Sequence, residues 1–357
     1  MRIGILPARE LTEEHILRWA ELQELDPALA SPYFRPEFTL AVASVREDVE
    51  VALIEDRGDL VGFFPYQRGA WNIGRPVGGR LSDFHGAILA PDVELDAGQL
   101  IQACGLAAWD FDHLPVTQDA FAAYQQPTEG SQYLDLSQGF ESYREERRAA
   151  GTSQVKDALK KGRLLERDVG PLRLVPYESD PRVFAQLLEW KSAQYLRTGY
   201  TNVFGFEWTV ELLRRVVAEP SPEFRGALSA LYAGDHLVAV DLALHAGPIR
   251  HSWFPAYDPE FSRYSPGCVL LVEIARAAES LGIRRIDLGK GDDTRKRCFA
   301  SGVIPLAEGT VECQPLARLL RGSWRQTRDW VHSSPFVAPV KLAASLARPV
   351  REWFEFH

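Results

Sequence analysis

The chain contains little cysteine and almost no methionine. Among its 357 residues there are four cysteines and one methionine. The cysteines show neither the spacing of a metal-binding motif nor the density of a disulfide-stabilised secreted domain. They are Cys104, Cys268, Cys298 and Cys313. We therefore expect a protein without a metal site in a reducing compartment.

Long apolar runs and a clustered basic face are also missing. No stretch approaches the roughly 20 apolar residues of a membrane-spanning helix, and the apolar run at residues 1–7 is too short for a signal peptide. The formal net charge of −9 argues against DNA as a partner, because phosphate recognition needs clustered Lys and Arg. The expected location is the cytoplasm.

Several common catalytic signatures do not occur. The sequence has no phosphate-binding P-loop, no Rossmann Gly-x-Gly-x-x-Gly and no recognisable Ser-His-Asp order. What is present is an ordinary globular composition, with 46% apolar and 25% charged residues. A chain of this length and composition can form two domains with full cores.

Helix and strand patterns alternate twice along the chain, which predicts an α/β (α+β) protein with two mixed, twisted sheets flanked by helices. Residues 12–25 look like a capped helix, and a β-hairpin is expected over residues 49–66 around a short Gly/Asp turn. A second hairpin is expected over residues 227–245. A single charged helix is expected over residues 140–167, with a domain boundary near residue 150.

The segment from residue 250 to residue 302 carries the most information. An apolar strand is followed by the turn Tyr264-Ser265-Pro266-Gly267, an amphipathic helix, a second strand at residues 285–289 and a charged turn. A helix N-terminus offers unpaired N–H groups and a partial positive charge, so an anion such as a pyrophosphate could bind the amides near Gly267 and Cys268.

A set of short motifs occurs in one order along the chain. They are Leu81-Ser82-Asp83-Phe84-His85-Gly86, Trp190-Lys191-Ser192-Ala193-Gln194-Tyr195, the strand from Trp253 to Tyr257, Asp258-Pro259, Tyr264-Ser265-Pro266-Gly267, Gly282-Ile283, Asp287-Leu288-Gly289, Gly291-Asp292 and Lys296. In combination, these motifs resemble the CelD/BcsL family of acetyltransferase-like proteins, which is linked to bacterial cellulose and exopolysaccharide synthesis and is similar to the FemAB peptidyltransferases.

The resemblance implies two tandem GNAT-like domains. Residues 1–150 would form a degenerate domain on the acceptor side, and residues 151–315 the acyltransferase domain. The implied reaction is acetyl or other acyl transfer from coenzyme A to an amine or hydroxyl of a sugar, a lipid-linked saccharide or a polysaccharide precursor. The donor's pantetheine arm would enter between the strand ending at Tyr257 and the strand around Asp287.

Four residues are candidates for the chemistry. Lys296 matches a lysine of FemAB-like sequences that faces developing negative charge, so the resemblance makes it the first choice. Asp241 lies in an apolar run, where a carboxylate needs either a partner or a catalytic task. Asp287 could take part in the chemistry or form an ion pair with Arg284 or Lys290. His251 could accept a proton or be structural.

The remaining candidates bind the two substrates. Tyr257, Ser265, Pro266, Gly267 and Cys268 are expected to hold the cofactor at the helix N-terminus. Lys191, Gln194 and Tyr195 share a helix face, and by resemblance they line the acceptor cleft with Trp253. Asp83 and His85, in a loop next to Gly86, could grip an acceptor sugar. Ordinary helix surface and a local turn network are the alternatives.

The last residues, 316–357, form a basic and aromatic tail with seven Lys or Arg against three acidic residues. We expect helices that either contact the inner membrane or a polysaccharide synthesis complex, or pack on the acidic body. Two other functions stay open. One is a FemAB-like transferase that uses aminoacyl-tRNA, and the other is a non-catalytic scaffold, since the usual GNAT phosphate loop is absent.

Overall fold

The computed structural model describes residues 1–291 and 293–313. Within these residues the strands are β1 Arg2–Pro7, β2 Val49–Asp56, β3 Asp59–Arg68, β4 Ile73–Arg75, β5 Ile88–Leu89, β6 Ala108–Pro115, β7 Gln126–Pro127, β8 Ser131–Asp135, β9 Leu172–Val175, β10 Arg225–Ala233, β11 His236–Ala246, β12 Ile249–Tyr257, β13 Arg285–Lys290, β14 Gly302–Ile304 and β15 Leu306–Glu312. The helices are α1 Glu13–Leu25, α2 Pro36–Ala43, α3 Ala97–Ala103, α4 Gly139–Ala149, α5 Gln154–Asp168, α6 Pro181–Thr198, α7 Glu207–Ala218, α8 Pro266–Ala277 and α9 Thr294–Phe299.

The described chain divides into two compact units that are not contiguous halves. Unit 1 comprises residues 1–26, 46–127 and 307–313, and unit 2 comprises residues 27–45 and 128–306. A cut near residue 150 would therefore separate β8 and α4 from the rest of unit 2. The physical reason is strand pairing, since β8 pairs with both β13 and β14. The predicted tail at residues 316–357 lies outside the described residues.

Unit 1 is built on a mixed sheet with the strand order β1-β2-β3-β4-β6-β15-β7, and β5 pairs with β3. The predicted hairpin is confirmed as β2 and β3, and its turn residues Arg57 and Gly58 both have positive φ, as a two-residue type I′ turn requires. The predicted first helix is confirmed as α1, with Thr12 accepting from the His15 amide as its N-cap. The core of this unit is rich in aromatic side chains, among them Phe64 and Trp109.

Unit 2 contains the second mixed sheet, in the order β14-β8-β13-β12-β11-β10-β9. The predicted second hairpin is confirmed as β10 and β11. The β12–β13 pair is parallel, whereas the other pairs are antiparallel. Helices α5 and α8 pack their apolar faces on this sheet through residues such as Leu165, Val269 and Ile274, which are almost fully buried.

The expectation of one long charged helix was wrong. The structure has two helices, α4 and α5, separated at Gly151, whose φ of +77° ends α4 in the left-handed conformation that favours glycine. Within the described residues, no helix combines the length and the apolar character that crossing a membrane requires.

Candidate active site

An opening between β12 and β13 is the central feature of unit 2. The two parallel strands pair over three residues only, and His251–Asp287 is the last pair. Beyond it, β12 stays paired with β11 as far as Tyr257, and β13 stays paired with β8 at Lys290. Each strand therefore remains in the sheet on its outer side while the two separate from one another. The β12–β13 pairing thus ends in the region where the sequence predicts entry of the donor's pantetheine arm, and that entry stays a prediction.

An irregularity in β12 accompanies this opening. Leu242 pairs with Phe254 and the next residue, Ala243, pairs with Ser252, so Trp253 is an extra residue on β12. Such a bulge redirects side chains and strengthens the local twist. Trp253 is buried, with its ring centroid 6.1 Å from that of Tyr33 and 6.2 Å from that of Phe38. Its predicted role in substrate binding stays a prediction.

Lys191 reaches β12 from helix α6. Its ammonium nitrogen donates to the carbonyl oxygen of Pro255 at 3.1 Å, and the residue is only 8% exposed. Burial lowers the pKa of Lys191 from its ordinary 10.5 to about 8; Asp241 opposes that shift and the charge of Lys296 adds to it. An amine with this pKa exists in both protonation states near neutral pH, so it can give or accept a proton.

Lys296 lies at the end of β13. It comes from the short helix α9, whose N-cap Asp293 accepts from the Arg295 amide. Its Nζ donates to the carbonyl oxygens of Lys290 at 2.9 Å and Gly289 at 3.3 Å. Lys191 thus binds a backbone carbonyl of β12, and Lys296 binds backbone carbonyls of β13, in each case beyond the last β12–β13 pair. The opening is flanked by two lysine side chains.

Asp241 has the partners that its burial requires. Its Oδ2 accepts from Nη2 of Arg250 at 3.0 Å, and its Oδ1 accepts from the Ser252 hydroxyl at 2.8 Å. Arg250 is 1% exposed and also donates to the Ser229 hydroxyl at 3.1 Å. This buried network joins β10, β11 and β12 beneath Lys191. The catalytic role predicted for Asp241 stays a prediction, and the geometry describes a positioning role.

Asp287 is fully buried and paired with Arg285, which is neither of the two expected partners. Both of its oxygens accept from Arg285, at 2.8 and 3.1 Å, rather than from Arg284 or Lys290. Residues two apart on a strand share a face, whereas residues three apart, as Arg284 and Lys290 are from Asp287, point to opposite faces. Nδ1 of the buried His251 lies 3.9 Å from Oδ2 of Asp287. Both residues therefore stand where the strands are still paired, at the closed end of the opening.

The N-terminus of α8 is the predicted donor site. Ser265 precedes the helix in the left-handed conformation, and Pro266 occupies the first turn. A Cβ on Gly267 would lie 3.8 Å from Cδ1 of Tyr257, which places that ring beside the helix end. The Cys268 amide donates to the Ser265 carbonyl at 2.9 Å. The Gly267 amide precedes the Cys268 amide and so lies nearer to the N-terminal end of the helix.

Lys161 adds a positive charge at this site. From α5, its Nζ donates to the Ser265 hydroxyl at 2.7 Å. Burial raises the pKa of the Cys268 thiol, while the positive charges of Arg295 and Lys161 oppose that shift. Two cations thus lie within electrostatic reach of the first turn of α8. Lys161 and Ser265 are 104 positions apart, so no sequence spacing could have joined them.

The expected acceptor residues fall in both units. Lys191, Gln194 and Tyr195 follow one another along α6 in unit 2, and the Lys191 ammonium lies 5.4 Å from the centre of the Tyr195 ring. Asp83 and His85 belong to unit 1. His85 is buried, and burial lowers its pKa to about 4. His113 and Asp112, which our sequence reasoning missed, lie next to these two residues.

Comparisons with known proteins identify the fold of the chain and the family of one of its domains. Residues 152–297 match the family model described as acetyltransferase (GNAT) domain. FemX shares 10% identity with a TM-score of 0.57, covering 89% of this chain and 99% of that one. The C-terminal domain (DUF2156) of a protein described as a lysylphosphatidylglycerol synthetase from Agrobacterium fabrum shares 12% identity with a TM-score of 0.52, covering 86% and 94%. These two likenesses show a common fold.

A third structure, a tandem GNAT protein from the clavulanic acid biosynthesis pathway, has 15% identity and a TM-score of 0.46, covering 88% of this chain and 99% of that one. No curated protein matches the sequence. The predicted architecture of two mixed sheets flanked by helices is confirmed for the described residues, and the family model matches residues 152–297 as a GNAT domain. Residues 152–297 therefore form a GNAT acetyltransferase domain, and the protein is an acyltransferase.

Proposed function

We propose that the protein transfers an acyl group, with acetyl as the simplest case, from coenzyme A to an amine or hydroxyl of a sugar or polysaccharide precursor. The observation that carries this proposal is the separation of β12 and β13 beyond the His251–Asp287 pair, with Lys191 and Lys296 on either side. The resemblance to the CelD/BcsL family supports a saccharide acceptor in exopolysaccharide or cellulose-type synthesis.

The proposed chemistry is direct transfer. The acceptor nitrogen or oxygen attacks the thioester carbonyl carbon, a new N–C or O–C bond forms, and the C–S bond of the donor breaks. The acceptor loses one proton, and the leaving thiolate gains one. The protein must therefore position two substrates, accept a proton and stabilise negative charge on the carbonyl oxygen and then on sulfur.

In this proposal the two lysines have different tasks. Lys191, whose pKa burial lowers to about 8, accepts the proton, because a general base works best when its pKa lies near the operating pH. Lys296 stays charged at the end of β13 and faces the developing negative charge. Asp241 holds Ser252 and Arg250 and so keeps β12 in register beneath Lys191.

The proposed donor site places the diphosphate at the N-terminus of α8. The helix dipole and the Gly267 amide favour an anion there, and Lys161, hydrogen-bonded to Ser265, adds a full positive charge. Tyr257, Pro266 and Cys268 complete the wall of the site. Arg and Lys side chains suit phosphates because they form charge-assisted hydrogen bonds.

A second candidate is transfer from an aminoacyl-tRNA, as expected for a FemAB-like enzyme. The observation that favours it is the fold likeness to FemX over 99% of the FemX chain. The net charge of −9 argues against it, because binding a tRNA requires many Lys or Arg contacts to phosphates. Contact of residues 316–357 with the inner membrane or a synthesis complex remains a prediction.

The experiment that separates the two donors has a binding arm and a transfer arm. Calorimetry with acetyl-CoA should show saturable binding at one site per chain, and release of free thiol should depend on an added amino sugar or lipid-linked saccharide. If acetyl-CoA and longer acyl-CoA thioesters do not bind, while radiolabelled aminoacyl-tRNA supports transfer, the second candidate replaces the first.

A further inference from the structure

Strand β8 faces an irregular stretch of β13 at Gln132. Between the pairs formed by Asp287 and Lys290, two residues of β13 lie opposite Gln132 alone, and the second of them, Gly289, has a φ of +76°. A bulge with glycine in the left-handed conformation bends its strand, and such bulges are frequent next to active sites. This bulge lies between the last β12–β13 pair, at Asp287, and the end of β13.

The side chain of Gln132 binds the backbone where the chain leaves β13. Its Nε2 donates to the carbonyl oxygen of Gly291 at 2.9 Å, and the Gly291 amide donates to the carbonyl oxygen of Gly130 at 3.3 Å. A carbonyl only accepts, so the nitrogen of the Gln132 amide is the atom that faces Gly291. Residues of β8 and its N-terminal end therefore hold both polar groups of the Gly291 backbone.

Lys296 binds the two carbonyl groups that precede Gly291. Its Nζ donates to the carbonyl oxygens of Gly289 and Lys290. A Cβ on Gly291 would lie 3.9 Å from this Nζ, so the ammonium lies beside the Gly291 backbone. Gln132 and Lys296 together hold three consecutive carbonyls at the end of β13. A shift of Gly291 would therefore move the carbonyls that orient the Lys296 ammonium.

Gln132 faces the side of the sheet on which α9 packs. Leu134, two residues further along β8, belongs to the same buried core as Phe299 of α9, and residues two apart on a strand share a face. Gln132 is 3% exposed, and among the described residues its Oε1 has no hydrogen-bond donor.

A buried acceptor without a donor costs free energy, and a leucine of similar size would avoid that cost. Gly291 is partly exposed, so water could bind its carbonyl oxygen in place of Gln132. The stability of the fold therefore does not explain a glutamine at position 132.

We propose that Gln132 is a positioning residue for Lys296 in acyl transfer. By holding the Gly291 carbonyl, it fixes the end of β13 and with it the ammonium that faces the developing negative charge. A neutral amide suits this task, because a lysine or arginine donor would place another positive charge beside Lys296. The inference rests on the proposed transfer reaction and on Lys296 as the group that stabilises charge, and it does not require Gln132 to touch either substrate.

Gln132→Leu removes the donor to Gly291 and keeps the size of the side chain. We expect kcat to fall by about 10- to 100-fold with unchanged affinity for acetyl-CoA in calorimetry, because a displacement of about 1 Å at the reacting groups costs about 10²-fold in rate. The urea midpoint should not fall, since the variant also removes an unpaired buried acceptor. Gln138→Leu, at an exposed position just before α4, should behave like the unmodified protein.

A positioning residue is recognised by how its loss combines with the loss of the group that it positions. In a Lys296→Ala background, Gln132→Leu should have no further effect on turnover, because the ammonium is already absent. Equal losses of turnover in the two backgrounds would overturn the proposal, and so would an unchanged kcat of Gln132→Leu.

Trace acetylation with acetic anhydride, followed by mass spectrometry over a range of pH, gives a readout that needs no enzyme activity. Burial is the main cause of the lowered pKa of Lys191, and the charge of Lys296 adds to it. If Lys296 moves away in Gln132→Leu, the pKa of Lys191 measured by labelling should rise above its value of about 8, whereas Gln138→Leu should leave it unchanged.

The same pKa of Lys191 in Gln132→Leu and in the unmodified protein would mean that Lys296 has not moved, which overturns the proposal. A raised pKa in a protein that transfers no acyl group from any coenzyme A thioester would instead support the placement of Lys296 by Gln132 and count against the proposed function.

Discussion

The ammonium of Lys191 donates to the carbonyl oxygen of Pro255 on β12, beyond the point where β12 and β13 separate. A strand that loses its neighbour exposes backbone carbonyls, and here a buried lysine serves as the donor to one of them. The same contact removes most of the lysine from water, which is why its pKa falls to about 8.

Replacing Lys191 by methionine should stabilise the protein in a pH-dependent way. In the unmodified protein between pH 8 and 10.5, Lys191 is protonated in the unfolded chain and has lost its proton in the folded chain, so the free energy of unfolding rises with pH through that window. Below pH 8 the folded chain carries the full cost of burying the charged lysine. Lys191→Met should therefore gain up to about 3 kcal/mol near neutral pH and lose that gain as the pH approaches 10.5. Urea unfolding at several pH values measures this difference.

The control for that experiment is Lys156→Met, which changes an exposed lysine of α5 and should leave the pH dependence as it is in the unmodified protein. If the free energies of unfolding of Lys191→Met and the unmodified protein change with pH in the same way, Lys191 is not desolvated in the folded protein. In transfer assays, Lys191→Met should also abolish the rise of kcat/KM through about pH 8.

Lys296→Ala should lower turnover with little change in donor affinity. A cation that stabilises charge only in the transition state contributes to the barrier and not to ground-state binding, and loss of one such contact costs about 10² to 10³ in rate. Steady-state kinetics with calorimetry of acetyl-CoA binding separates the two effects. Arg297→Ala, at an exposed position of the same helix, is the matched control. Near-normal turnover of Lys296→Ala would remove Lys296 from the mechanism.

Lys161→Met should weaken binding of coenzyme A by roughly tenfold, since one charge-assisted contact to a phosphate contributes about 1.5 kcal/mol or more. The next residue, Lys160, is exposed on α5, and Lys160→Met should leave the affinity unchanged. Calorimetry in low and moderate salt gives the comparison. Equal affinities of the two variants would place the diphosphate elsewhere than at the N-terminus of α8.

Asp241→Ala should destabilise unit 2 severely. It leaves Arg250, which is 1% exposed, without its carboxylate partner, and removing one member of a buried ion pair costs about 3–5 kcal/mol. Asp235→Ala, in the exposed turn between β10 and β11, should change stability by less than about 0.5 kcal/mol. Thermal or urea unfolding distinguishes them, and a small effect of Asp241→Ala would mean that water reaches the pair.

Local patterns were enough to predict much of the architecture. The hairpin β2–β3 and the hairpin β10–β11 follow from apolar runs interrupted by Gly/Asp turns, because strand alternation and turn chemistry act over a few residues. The start of α8 follows from Ser265-Pro266-Gly267 for the same reason. The Asp287–Arg285 pair could also have been foreseen, because strand alternation places residues two apart on one face.

Contacts between residues that are far apart in the sequence could not be predicted in this way. The sequence by itself determined the two hairpins, α1 and the start of α8, and that Asp241 needs a partner, since burying an unpaired carboxylate is costly. Only the tertiary structure decided that Arg250 is that partner, that Lys161 reaches Ser265, and that His85 meets Asp112 and His113. These contacts depend on how sheets and helices pack, and packing joins residues whose separation along the chain carries no local signal.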